Sequence, residues 1–233
     1  MDKEMWLTYR AVLKVEGPFA ASLPKDPVAI RSMLEHRMPN QKPEDAVPID
    51  ELVEQVSAAV ATADQPDEDS LPGASTFPSD ETGLYYEGRC VRGHLKDCAL
   101  QVAGFFASVK NFRAKFVNRV YVVTDRIYVG AKEVDGTQER FIQVMTRQGP
   151  RSSIKYIDWV ESPTLEFTIR LLNDDVIKKE HLEAVFEYGG IHGMGGERSQ
   201  GWGRYELKDL VEGESAEPGA IGDALAAAQE AAS

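Results

Sequence analysis

Cations, histidines and glycines gather at two places in this 233-residue chain. The first is the run from Gly88 to Lys96, GRCVRGHLK, and the second is the stretch 188–204, YGGIHGMGGERSQGWGR. Seven of the 19 glycines fall within that second stretch. Glycine reaches positive φ and lets another backbone come close. A loop that adds Arg198 and Arg204 to its glycines therefore suits backbone amides turned toward an anion. The first run opens a helical pattern from Gly93 onward. Free amides, the positive end of the helix dipole and the side chains of Arg89, Arg92 and Lys96 would favour a phosphate there. His94 and His192 lie one in each segment. Two imidazoles brought to one phosphate could transfer protons in metal-independent RNA cleavage.

Other chemistries find no support in the residues. The glycine spacing is not G-x-x-x-x-G-K-[ST], and a dinucleotide fingerprint follows a strand and opens a helix, whereas here the order is helix, glycine loop, strand. None of the four histidines stands at metal-ligand spacing. His181 reads as a structural or solvated residue on a helix face. Asp67, Glu68 and Asp69 sit among prolines and read as a solvated acidic run. Cys90 and Cys98 have no partnering cysteine or histidine pair, which suggests free thiols in a reducing cytoplasm. No metal or cofactor is expected. No apolar run approaches the roughly 18 residues of a membrane span, and the first residues lack the build of a signal peptide.

The elements that must position these residues follow from periodicity. Residues 4–15 alternate, with Met5, Leu7, Tyr9, Ala11, Leu13 and Val15 on one face, and predict a strand. On its other face Trp6, beside Arg10, would suit stacking on a base or packing under an insertion. Asp26-Pro27 reads as a helix cap with proline in the first turn. A second helix is expected from about Ile49 to Ala63, and a mobile acidic loop over 65–78. Together 18–84 reads as an insertion after the first strand. Leu95, Cys98, Ala99, Val102, Phe106 and Val109 predict a helix over 93–109. Residues 117–130 suggest a hairpin turning near Thr124-Asp125, and 141–145 with 154–159 another extended pair around Gly149-Pro150. Residues 164–172 alternate as a strand, a helix is expected over 176–188, and a strand over 202–211. Residues 212–233 read as a disordered Ala-rich tail.

The net charge of −12 is unevenly distributed. Residues 1–84 carry net −9, residues 85–155 net +7, 156–205 net −4 and 206–233 net −6. A basic middle within an acidic chain is a local electrostatic footprint that the whole-chain charge hides.

The helix, glycine loop, strand order resembles that of the RAMP superfamily, RRM-like RNA-handling proteins of CRISPR effector complexes. Gly193, Gly195, Gly196, Arg198, Ser199, Gly201, Gly203 and Arg204 match its glycine-rich loop. Gly88, Val91, Arg92, Gly93, Leu95 and Lys96 match a second string found in its backbone subunits, with Arg89 and Cys90 in place of two serines. The resemblance implies an α+β, ferredoxin-like or RRM-like domain over 1–211, with a helical insertion at 18–84 and a β-rich, thumb-like hairpin insertion at 117–160. It implies Arg119, Tyr121, Arg126 and Tyr128 on the thumb. It implies a non-catalytic subunit that binds single-stranded guide RNA and meets further copies of itself and other effector subunits. Some family members cleave RNA. An aspartate after the first strand does so in some backbone subunits, which makes Asp26 a candidate beside its reading as a cap. The alternatives are a metal-independent endoribonuclease and an acidic assembly protein without a nucleic-acid role.

Overall fold

The computed structural model describes residues 4–21, 23–24, 30–31, 49–60, 74–146 and 149–216. Asp26, His36, the run Asp67 to Asp69 and residues 217–233 lie outside them. In chain order the elements are β1 (Trp6–Glu16), β2 (Pro18–Ala20), β3 (Leu23–Pro24), α1 (Ile49–Val60), β4 (Ser75–Thr76) and β5 (Tyr85–Glu87). Helix α2 (Gly88–Gln101) continues as a 3-10 segment, Val102–Phe106, before α3 (Phe112–Val117), β6 (Val120–Val122) and β7 (Arg126–Tyr128). Then come β8 (Gly136–Thr146), β9 (Gly149–Glu161), β10 (Thr164–Leu172), α4 (Lys179–His192), a 3-10 turn at Arg198–Gln200 and β11 (Arg204–Glu212).

Four strands form an antiparallel sheet in the order β11-β1-β10-β6. With α2 between β1 and β6 and α4 between β10 and β11, this is the βαββαβ arrangement of a ferredoxin-like, RRM-like α+β fold. The alternation in β1 and β10 explains it. Tyr9, Ala11, Leu13 and Val15 of β1, with Leu165, Phe167, Ile169 and Leu171 of β10, are at most 1% exposed. They meet Val91, Leu95, Cys98 and Ala99 of α2 and Leu182, Val185 and Phe186 of α4 in one core. A one-residue slip of either strand would turn this apolar set out of the core.

The opposite face of the sheet is polar and already engaged. Arg10 pairs there with Glu166, Asp209 and Glu214. The amide of Gly213 donates to the Thr8 carbonyl at 2.8 Å and that of Ala216 to Thr168 Oγ1 at 2.8 Å. The start of the expected tail is therefore docked across this face, because β1 and β10 offer it hydrogen-bond partners.

A second sheet runs β2-β9-β4-β3, with β8 added to β9. Strand β9 pairs with β2 and β4 through residues 157–161, and with β8 along the whole of β8. The part from Glu139 and Tyr156 outward is therefore a two-stranded ribbon roughly 23 Å long. This ribbon is the β-hairpin in the middle of the chain. The hairpin expected over 117–130 does not form. Strand β6 pairs with β10, and β7 pairs with β5. A tight hairpin turn at Thr124-Asp125 would need positive φ, and neither residue has it. Instead Val123 and Thr124 bond to the backbone of Thr168, and the Asp125 carbonyl accepts from Gly88. The chain thereby crosses from the four-stranded sheet to a separate two-stranded one, β5-β7.

Candidate nucleic-acid interface

Helix α2 begins at Gly88, five residues before the start expected from its apolar spacing. A Cβ at Gly88 would lie 1.9 Å from the Thr124 carbonyl oxygen, so only glycine admits this approach. The Gly88 amide donates to the Asp125 carbonyl at 2.8 Å. Glu87 holds the Arg89 guanidinium, with Nε to Oε1 at 2.8 Å. A carbonyl and a carboxylate of the chain itself thus occupy the helix start that the sequence offered to a phosphate. Gly93 lies inside the helix. A Cβ there would meet nothing within 4 Å. At 100° per residue, Arg92, Lys96, Arg89 and Gly93 follow one another across the exposed side of α2. The Arg92 guanidinium lies 4.6 Å from the Tyr121 ring centre, and that ring meets Trp6 edge-on at 5.5 Å. Arg89, Arg92, Gly93 and Lys96 line a groove of about 310 Å³ floored by Phe116, Val117, Val120 and Val122.

The other flank of α2 meets the end of α4. The rings of His94 and His192 stack with centroids 6.2 Å apart, and Tyr188 stacks on His192 at 5.6 Å. His192 is exposed, and its Nε2 lies 3.0 Å from Arg198 Nη1. His94 is buried, with Nε2 2.9 Å from the Tyr205 hydroxyl and Cys98 Sγ at 3.6 Å. Burial, with His192 and Arg198 adding to it, pushes His94 down to about 3, so the ring is neutral at pH 7. Burial also pushes the Cys98 thiol up to about 12, with Asp97 adding to the rise. The two histidines do meet, yet a buried ring already held by Tyr205 is badly placed to exchange protons with a scissile phosphate. His181 is likewise buried, among Phe106 and Phe112, and its Nδ1 accepts from the Lys178 amide.

The glycine stretch is largely accounted for by the chain's own packing. Helix α4 runs four residues beyond the expected Tyr188 and contains Gly189 and Gly190. Cβ atoms there would lie 2.1 Å from the Tyr205 hydroxyl and 2.3 Å from its carbonyl oxygen. Gly203 (φ +69) lets the Met194 carbonyl approach to 1.8 Å of its missing Cβ. The amides of Gly193, Met194, Gly196, Gly201 and Gly203 all donate to carbonyls of the chain. The expected row of amides facing an anion is thus corrected at these five positions. Exposed side chains remain: His192, Arg198, Ser199 and Arg204. Gly195 and Gly196 meet the backbone of Ala20 and Ala21, which joins the loop to the end of β2.

The four residues expected on a thumb lie elsewhere. Arg119 pairs with Asp174 and stands beside β6, and Tyr121 lies against Arg92 and Trp6. Arg126 and Tyr128 both bond Asp80, at 2.6 and 2.9 Å. Burial opposes the ionisation of Asp80, but Tyr128, the Thr82 amide and Arg126 outweigh it and hold the carboxyl below its ordinary range. One link was not read from the sequence. Glu197, at φ +56, accepts from Lys155 Nζ at 2.9 Å and lies 3.4 Å from Arg140 Nε. Arg140 in turn lies over the Trp202 ring, which meets Trp159 edge-on. The glycine loop is thereby tied to the base of the β8–β9 ribbon. Long-range ion pairs of this kind carry no spacing signal in a sequence.

Among the described residues no group of three or more His, Cys, Asp or Glu side chains could hold a metal ion. No helix among them is long and apolar enough to cross a membrane. No protein-family model matches the chain, and no curated protein matches it. Among solved structures, a chain in the cryo-EM structure of the type III-B Cmr-beta complex bound to cognate target RNA is similar over 89% of this chain, at 12% identity and a TM-score of 0.44. The present chain covers 61% of the length of that one.

Proposed function

We propose that this chain is a non-catalytic RNA-binding subunit, similar to the RAMP backbone proteins that line guide RNA in CRISPR effector complexes, and that it works in the cytoplasm beside further copies of itself and other effector subunits. The observation that carries the reading is the convergence of two glycine-bearing basic segments on α2. Arg198 and His192 stand against His94 on one flank, while Arg89, Arg92 and Lys96 surround the open Gly93 on the exposed side. A glycine in an exposed helix interior costs about 1 kcal/mol relative to alanine, and nothing in the chain's own packing requires Gly93. Close approach of a ligand backbone would. The chain resembles the family at the same two segments.

The test is fluorescence anisotropy with single-stranded RNA across a salt series. The parent should bind with a steep salt dependence, and Arg92→Ala/Lys96→Ala should flatten the slope of log affinity against log salt by up to about 1.4, at about 0.7 per phosphate contact. Binding that is absent at every salt concentration would favour an acidic assembly protein. Cleavage of the RNA in EDTA, lost in His192→Ala, would favour an endoribonuclease.

A further inference from the structure

A second basic groove lies beyond the first. It has a volume of about 610 Å³ and runs between the 3-10 segment after α2 and the short helix α3. Lys96, Lys110 and Arg113 line it, with Phe106 and Phe112 stacked in its floor at 4.9 Å. Lys96 and Val117 line both grooves, so the two form one path. Neither is lined by an acidic side chain. Residues 88–119 carry seven basic side chains and one acidic, Asp97, in a protein of net charge −12. The Nε of Arg113 is buried in the groove wall with no hydrogen-bond partner, a costly state for a charged donor. Phe105, on the same 3-10 segment, is 86% exposed. An apolar ring so open, next in sequence to the lining residue Phe106, has no role in the core.

We propose that this groove is a separate nucleotide-binding site. It would take a further stretch of the same single-stranded RNA, with phosphates on Lys96, Lys110 and Arg113 and a base against Phe105. The proposal rests on the RNA-binding reading and extends it. The volume falls within the roughly 300–1,000 Å³ of ligand pockets. Cations interleaved with aromatic faces are the physics of single-strand binding, in which the backbone is neutralised and each base stacks regardless of its identity. An acidic peptide would match the charge and leave the exposed ring without a purpose.

The experiment compares oligouridylates of about 5 and about 20 nucleotides, lengths that bracket common single-strand sites, by anisotropy at several salt concentrations. The Lys110→Ala/Arg113→Ala variant should bind the short oligomer like the parent and the long one more weakly. Its salt slope on the long oligomer should fall by about 1.4, so that between 50 and 200 mM salt it loses about sevenfold less affinity than the parent. Phe105→Ala touches no core and guards against misfolding of the double variant. It should weaken the long oligomer several-fold with the slope unchanged. Arg198→Ala should weaken both lengths, and Lys132→Ala, on an exposed loop, neither. If Lys110→Ala/Arg113→Ala and Phe105→Ala both match Lys132→Ala on the long oligomer, the second site is wrong while the first reading stands. Equal displacement of the long oligomer by polyglutamate of matching charge would also overturn it, in favour of an acidic protein partner. A parent that binds neither oligomer removes both readings.

Discussion

Glu197 allows two energetic terms to be separated at one residue. Its backbone sits at φ +56, where an L-residue other than glycine, asparagine or aspartate is strained. Its carboxylate, 13% exposed, joins Lys155 and Arg140, whose side chains are 32% and 25% exposed. Partial exposure places the ion-pair term well below that of a fully buried pair, at about 1–3 kcal/mol. Glu197→Gln keeps the backbone and loses the charge, so it should destabilise by about 2 kcal/mol. Glu197→Ala loses the same charge and keeps the strained φ. Glu197→Gly also loses the charge, but it releases about 1–2 kcal/mol of backbone strain against about 0.4–1 kcal/mol of added unfolded-state entropy. The glycine variant should therefore be more stable than the alanine variant by roughly 1 kcal/mol, or about 2–4 °C in Tm for a chain of this size. Urea and thermal unfolding of the three variants measure this directly. A glycine variant no more stable than alanine would refute the strain argument, and a glutamine variant as stable as the parent would refute the ion-pair argument.

Acid should weaken the fold. The folded-state pKa of His94 lies far below its ordinary 6.5, so the unfolded chain takes up a proton that the folded one refuses. Its contribution is fully present above pH 6.5 and is lost as pH falls toward 3, at up to about 1.4 kcal/mol per pH unit. His181, also lowered by burial, acts in the same direction. Urea midpoints between pH 7.5 and about pH 5 should show this slope, and it should shrink in a folded His94→Gln variant. The two kinds of glycine should respond oppositely to alanine. Gly93→Ala should raise stability by up to about 1 kcal/mol, whereas Gly189→Ala, whose Cβ would lie 2.1 Å from the Tyr205 hydroxyl, should lower it by about 1–3 kcal/mol. Truncation after Val211 should cost stability too, because Glu212 accepts from the Tyr9 hydroxyl at 2.9 Å and Glu214 from Arg10 Nε at 2.8 Å. Thermal unfolding of each variant checks these signs.

The parts of the fold legible in the sequence are those whose period was tied to one buried face. Strands β1 and β10 alternate because Tyr9 to Val15 and Leu165 to Leu171 face two helices while their neighbours do not. The helix, glycine loop, strand order before β11 was legible for the same reason. Pairing partners were not. Residues 120–128 are extended in two short pieces, but period two is silent about which sheet each piece joins. Glycine proved ambiguous in kind. The residue type marks close backbone approach, and at Gly88, Gly189, Gly190 and Gly203 what approaches is this chain rather than a ligand. At Gly93, inside a helix, the space is open. The run Lys110 to Arg119, KNFRAKFVNR, did carry a signal of cations interleaved with aromatics, hidden because it read as a connection between larger elements.

The charges also bear on where an anionic partner could approach. RRM-like sheets often offer their open face to single strands, with aromatic side chains on central strands. Here that face holds Glu166, Asp209 and Glu214 around Arg10, and residues 213–216 cross it. A polyanion laid there would have to displace that segment and meet these three carboxylates. The exposed side of α2 and the surface running on to α3 present Arg89, Arg92, Lys96, Lys110 and Arg113 with Asp97 as the one acid in residues 88–119. A surface rich in cations draws a polyanion beyond contact range until salt screens the attraction within about 10 Å. An overall charge of −12 is therefore compatible with tight binding of a single strand. The acidic residues narrow the approach to the helical side, where the glycine-bearing segments meet.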